Sequence, residues 1–351
     1  MNRHALHAGS FNSGSGDRSV GSLYAQLSRD IKQAGLLHRR GRFYAARITV
    51  VVGLLAGTWT AFGLIGSSWW QMVTAVLLAV LFTQVGFLGH DAGHRQIFRS
   101  KRLNDVVGML HANFGIGFSY GWWINKHNRH HANPNTEGRD PDIRVEPLAF
   151  TDRQAAKQRG LRRLLIRLQG YLFVPLLTLE ALSLRAASVT ALLRPGLKRR
   201  PAEIALLATH VALYLAAVFL VLTPIQGIVF IVIHQGLFGV YLGSSFAPNH
   251  KGMPILAEDN ELDYLRRQVL TSRNVRGGWF TDVALGGLNY QIEHHLFPSM
   301  PRPNLRRAQV VIRRFCREHG VSYCETSLFR SWTEVLRHLD AVGTSPAEAS
   351  T

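Results

Sequence analysis

Charge is missing from two long stretches of this chain. No Asp, Glu, Lys or Arg occurs from Ile48 to Gly89, and none from Ile204 to Asn249. Cysteine is scarce as well. Cys316 and Cys324 are the only two in 351 residues, which excludes a disulfide-built scaffold and a cysteine zinc finger. Acidic side chains are few, 22 against 40 Lys and Arg, for a formal charge of +18. Hydrophobic residues make up 47% and charged ones 18%, too apolar a balance for a disordered chain. Three classes remain: a nucleic-acid binder, a membrane protein with a basic inner face, or an unusual soluble enzyme. The position of the charges separates them.

A helix crossing a bilayer takes about 20 mostly apolar residues, so each charge-free stretch has the length for two. Gly66-Ser67-Ser68 and Thr223-Pro224 punctuate their middles, and Trp69 and Trp70 stand where interfacial aromatics belong. The pattern predicts an all-α membrane protein with spans at about 48–66, 69–88, 204–222 and 225–246, paired as two hairpins. Buried hairpins of a soluble protein would carry a polar stripe; here the polar exceptions are His210 and His234, read as packed or hydrogen-bonded residues. Every Lys and Arg lies in the N-terminal segment, in 95–202 or after 250. The positive-inside rule assigns those regions and both termini to the cytoplasm, and nucleic-acid binding drops out.

The first 20 residues lack the apolar core of a signal peptide. Residues 1–40 read as a partly disordered cytosolic tail, 41–310 as the membrane domain and 311–351 as a C-terminal cytosolic segment. The stretch 160–193 mixes Arg159, Arg162, Arg163 and Arg167 with leucines. It reads as an amphipathic helix on the inner leaflet, with a fifth, re-entrant segment as the alternative.

Seven of the 16 histidines fall into three tight groups: His90 and His94; His127, His130 and His131; and His294 and His295, preceded by Gln291. On a helix, spacings of three and four put such residues on one face. Imidazole suits iron, zinc and copper. Seven imidazoles exceed the four ligands that close a zinc site, so two metal ions in a cytosolic helical cap are the simpler expectation. Neither HExxH nor an ExxH repeat occurs, which argues against a zinc protease and a carboxylate-bridged di-iron bundle.

The three boxes, their order and their placement between apolar segments resemble the integral-membrane fatty acid desaturases over roughly residues 40–310. The flanks agree: Gly89-His90-Asp91-Ala92-Gly93-His94, Trp122-Trp123 ahead of the second box, Asp140-Pro141-Asp142 after it, and Asn289-Tyr290-Gln291-Ile292-Glu293-His294-His295-Leu296-Phe297-Pro298. Gln291 stands where many members have His, as in front-end desaturases and bacterial linoleoyl-CoA-type members. The resemblance implies two non-haem irons, O2 as co-substrate, a fatty acyl substrate carried on CoA, acyl carrier protein or phospholipid, and a cis double bond in the product. It implies His250, in Phe246-Ala247-Pro248-Asn249-His250, as an eighth ligand, and Gln291 as a weak ligand or holder of a metal-bound water. Residues 1–47 are too few for a cytochrome b5 domain and no His-Pro-Gly-Gly motif occurs. A separate electron donor, such as a ferredoxin or flavin reductase, and a bacterial plasma membrane are therefore implied.

Metal-bound imidazoles usually donate their second N–H to a carboxylate or carbonyl. Asp91, Asp140, Asp142 and Glu293 stand beside the boxes for that role, with salt bridges to neighbouring arginines as the alternative. His111, Phe114, Phe118, Tyr120, Trp122 and Trp123 are candidates to line an acyl tunnel; interfacial anchoring is the other reading of the aromatics. His4, His7, His38, His319 and His338 read as surface residues. The basic face suits anionic lipid head groups, CoA phosphates, an acidic carrier protein or an acidic ferredoxin. Two rivals remain: a hydroxylase or ketolase using the same ligands, and a non-enzymatic metal carrier. A carrier places its ligands near the bilayer midplane, whereas these boxes stand at helix ends.

Overall fold

The computed structural model describes residues 22–345; residues 1–21 of the tail expected to be partly disordered, with His4 and His7, lie outside the described residues, whereas the rest of that 1–40 segment is ordered and begins with a helix. Helix α1 (Leu23–Gln33) starts at Ser22, whose hydroxyl accepts from the Ala25 N–H, and buries Leu27 and Ile31. Helices α2 (Gly41–Ile65) and α3 (Gln71–Gly93) follow, each long and apolar enough to cross a membrane. They part at Gly66, whose φ of +67° suits a residue without Cβ. The Gln71 side chain bridges the turn, donating to the Phe62 and Gly66 carbonyls.

Helix α4 (Lys101–Met109) runs on as a π-helical stretch, Leu110–Ile116, ended by Gly117 at φ +74°. Helix α5 (Tyr120–Ala132) carries the second histidine group. Short helices α6 (Asp152–Ala156) and α7 (Gly160–Arg167) lead to α8 (Gln169–Leu177) and α9 (Glu180–Leu193). The stretch 160–193 is thus three helices rather than one surface helix. α8 and α9 meet at a 72° bend and together pass for a broken fifth span. Pro175, inside α8, removes a helical N–H just before the break.

Helices α10 (Arg200–Val221) and α11 (Pro224–His250) are the other two apolar spans. Pro224 and a reciprocal Thr223–Gln226 cap start α11 at the predicted break. Large apolar side chains on α2 and α10, such as Leu54, Leu64, Leu213 and Leu220, face outward, the inverse of a soluble helix. In hydrocarbon these faces bury themselves, and the protein is a multi-pass membrane protein. At the centre α3 packs between α2 and α11, with Phe82 against Phe238 and Phe62 against Phe230. His210 and His234 are hydrogen-bonded core residues, to the Phe114 carbonyl at 2.7 Å and the Tyr214 hydroxyl at 2.8 Å.

After α12 (Tyr264–Leu270), strand β1 (Asn274–Arg276) pairs in parallel with β2 (Glu325–Ser327); this small sheet departs from the all-α expectation. Between them come α13 (Trp279–Ala284), α14 (Gln291–Leu296) and α15 (Arg302–Glu318). Helix α16 (Leu328–Thr344) closes the described chain. The division at 310/311 falls inside α15, whose apolar face shares a core with α1 and α14. α16 sets Val335 and Leu339 against Phe173 and Ala247 of α8 and α11, so these elements are packed parts of the main body.

Candidate metal centre

Each histidine group is delivered by a different element. His90 sits in the last turn of α3 and His94 caps it. His127, His130 and His131 share a face of α5, His250 ends α11, and His294 and His295 lie on α14. The start of α5 is pinned from α10: buried Glu203 accepts from the Ser119 hydroxyl at 2.6 Å and the Gly121 N–H at 3.2 Å. The end of α11 is held by Arg273, a fully buried side chain. It donates to the Pro248 carbonyl at 2.9 and 2.7 Å and to the Lys251 carbonyl at 2.8 Å, and pairs with Glu334. A cation at the C-terminal carbonyls satisfies groups that a helix leaves orphaned.

These elements converge on two neighbouring groups. Ring nitrogens of His90, His94, His127 and His294 lie within 4.8 Å of one another, and so do those of His130, His250 and His295. His131 stands between, its centroid 4.7 Å from His294 and 4.2 Å from His295. Among the described residues, His90 Nε2, His94 Nε2, both nitrogens of His294 and His295 Nε2 are buried without a hydrogen-bond partner. Buried polar atoms are ordinarily bonded, so these converging lone pairs fit metal ions. Burial, then the charge each ring would share with its neighbours, holds His94, His127, His131, His294 and His295 well below the usual imidazole range. They are neutral, the form that binds metal.

The rear nitrogens are anchored. His130 Nδ1 lies 3.0 Å from both oxygens of Asp140. Burial would depress this histidine, but Asp140 and Asp142 outweigh it and its pKa is raised. Burial likewise opposes Asp140, yet His130 holds that carboxyl below its ordinary value. His295 Nδ1 meets Gln268 Oε1 at 3.0 Å, and His250 Nδ1 meets the Thr271 carbonyl at 3.0 Å. Gln291 faces His250 Nε2 at 2.8 Å. Trp123 stacks on His127 with centroids 4.5 Å apart.

A profile of the family described as "Fatty acid desaturase" matches residues 67–327. The chain belongs to the fatty acid desaturase family. It is 31% identical over 342 residues to the acyl-lipid (9-3)-desaturase of Physcomitrium patens, covering 92% of this chain and 64% of that protein. It is 31% identical over 284 residues to the Delta(6)-fatty-acid desaturase fat-3 of Caenorhabditis elegans, covering 77% and 64%. With the Delta(8)-fatty-acid desaturase of Euglena gracilis the identity is 28% over 334 residues, covering 90% and 77%. The chain thus spans about two thirds of the length of the first two.

Several expected placements differ. The Glu293 carboxylate turns away from the imidazoles to Asn274 and Tyr323, at 2.6 and 2.7 Å. It is pushed up to about 7, chiefly by burial and against those two hydrogen bonds. Asp91 is foremost the partner of Arg302, at 2.6 Å; its 3.6 Å approach to His90 is no hydrogen bond. Asp142 pairs with Lys126 and lies 3.5 Å from His130 Nδ1. An apolar cavity of about 400 Å³ opens onto His90, His127, His130, His250 and Gln291. Phe118, Tyr120 and Trp123 line it, whereas His111, Phe114 and Trp122 do not. His111 bonds the Val107 carbonyl instead, and Phe114 is exposed. His38 is exposed, while His319 and His338 are half-buried and bonded to carbonyls. Gln268, Thr271, Arg273 and Glu203 were not marked by any sequence spacing, because their roles arise from contacts across the fold.

Proposed function

We propose that the protein is a membrane-bound fatty acyl desaturase of the front-end type that introduces a cis double bond into an acyl chain. The observation that carries this reading is the pair of buried histidine groups opening onto an apolar cavity. His90, His94, His127 and His294 would hold one iron, and His130, His250 and His295 the other, with His131 between them. When bound, two non-haem irons supply with O2 the oxidising power to take hydrogen from an unactivated methylene, which no side chain can do. In balance, one –CH2–CH2– unit, O2, two electrons and two protons give one –CH=CH– unit and two waters.

The chain's own residues position and shield. Phe118, Leu184, Leu242 and Phe246 line the cavity with apolar surface and exclude water from the acyl chain. Lys126, Asp142, Glu146, Glu180 and Lys251 are the charged groups of its wall, suited to the polar end of a substrate carried on CoA, acyl carrier protein or phospholipid. Asp140, Gln268 and the Thr271 carbonyl fix the tautomers of His130, His295 and His250. The two hairpins, α2–α3 and α10–α11, would set the histidines, both termini and the remaining helices on the cytoplasmic side of a bacterial plasma membrane. Electrons would come from a separate donor.

Expression in a bacterial host, followed by mass spectrometry that locates double bonds, tests this reading. A new alkene that disappears with His130→Ala is expected, together with about two irons per chain. A hydroxy or keto lipid, or no new lipid with a donor supplied, would overturn it.

A further inference from the structure

We propose that the outer face of α15 is the docking surface for a small acidic one-electron carrier protein. This rests on the desaturase reading, whose reaction consumes two external electrons per double bond and so needs the carrier to dock twice per turnover.

The exposed face of α15 is almost uniformly basic. Arg306, Arg307, Arg313, Arg314 and Arg317 all reach solvent, against Glu318 alone among the exposed acids of the helix. Arg306, Val310, Arg313 and Arg317 recur every three or four residues and form one stripe. Among the described residues, Arg306, Arg307 and Arg317 make no ion pair; Arg313 meets Glu325 at 3.2 Å and Arg314 meets Glu318 at 3.8 Å. Structural salt bridges therefore leave most of this charge uncompensated. Between α15 and the segment before β2 lies an open groove lined by Val310, Arg313, Arg314, Arg317, Tyr323 and Glu325. An apolar centre within a charged rim is the anatomy of a protein interface, and its sign selects an acidic partner.

The groove also leads inward. Tyr323 donates its hydroxyl to Glu293 at 2.7 Å. Glu293 is buried and joined by a peptide bond to His294, one of the unpartnered imidazoles. One hydrogen bond and one peptide link thus separate the groove from the histidine cluster. The groove shares no residue with the acyl cavity, so a carrier docked there leaves the substrate free to enter.

The test uses the full chain in lipid nanodiscs and an acidic plant-type [2Fe–2S] ferredoxin as probe. Direct binding of the ferredoxin is measured against salt for the parent, for Arg314→Glu/Arg317→Glu and for the matching double Lys variant. Charge reversal should weaken binding about tenfold or more and flatten the salt dependence, while the Lys variant stays near the parent. Desaturation driven by the ferredoxin should show a raised KM for it, and turnover driven by a small chemical reductant should be unchanged. Binding and salt slope unaffected by charge reversal would overturn the proposal. So would a raised KM for acyl-CoA alone, which would assign the groove to CoA phosphates. If no alkene forms with either reductant, the desaturase reading fails, and the binding measurement still decides the docking surface.

Discussion

Replacing Asp140 by Asn probes the support of the candidate centre with the smallest change of shape. The Asp140 side chain is fully buried. Its oxygens lie 3.0 Å from His130 Nδ1 and accept from the Asn135 N–H at 2.7 Å and the Asp142 N–H at 2.8 Å. The two backbone donors address different oxygens. An amide accepts at only one, so whichever way it turns, one N–H faces its NH2 group. A buried donor left unpaired costs about 1–3 kcal/mol. The bond to His130 also loses its ionised acceptor and about half its strength. Losing such a partner typically weakens metal binding about 10–100-fold, equivalent to about 1.4–2.8 kcal/mol. The assay is iron retention in a chelator titration, with thermal unfolding of loaded and stripped protein beside it. Asp140→Asn should lower stability in both states, and more in the loaded one. Iron retention equal to the parent's alongside early unfolding would confine Asp140 to a structural role and refute the link to His130.

Three further outcomes follow from the fold. Gly286 has φ +60°, and a Cβ there would lie 2.4 Å from the buried Phe87 ring; Gly286→Ala should cost about 1–2 kcal/mol in backbone strain and about 1–3 kcal/mol in overpacking. Thermal unfolding measures the sum, and adding Phe87→Leu should recover only the packing part. Ala112 lines the cavity of about 400 Å³; Ala112→Phe should move acyl selectivity toward shorter chains in competition assays, and an unchanged profile would remove the cavity from the substrate path. In a Cys324→Ser background, Ser68→Cys should react with an impermeant maleimide on intact cells and Lys157→Cys only after permeabilisation; the reverse pattern would invert the proposed topology.

Four spans were legible because a run of 40 or more residues without charge matches two bilayer crossings and little else that a folded chain builds. Their ends were less so. The fourth span was expected to end near 246, yet its helix runs to His250. Arg273 and Ser331 hold the Pro248 carbonyl from distant parts of the chain, a contact that no local pattern announces. The histidine groups stood out through helical spacing, and the fold brings all eight candidate residues together. Spacing was silent on what lies behind them: proximity in sequence suggested Glu293, whereas the partners of His295 and His250 are Gln268 and Thr271. The bend between α8 and α9 fits the alternative reading of 160–193, a fifth, re-entrant segment, which ranked second because Arg185 and Glu180 made the stretch look like a surface helix. Arg185 instead turns inward to Gln235 and the Ile116 carbonyl.

The clamp on α11 bears on how the chain can be shortened. A cut after residue 310, just past the last histidine box, would keep every histidine of the cluster and look harmless on a motif map. It would delete Ser331 and Glu334, strip Arg273 of its acidic partner, remove β2 from beside β1 and uncover Ala247 and Phe173 under α16. His250 would then end a frayed helix. Fragments, fusions and affinity tags are best designed to leave residues up to Thr344 in place.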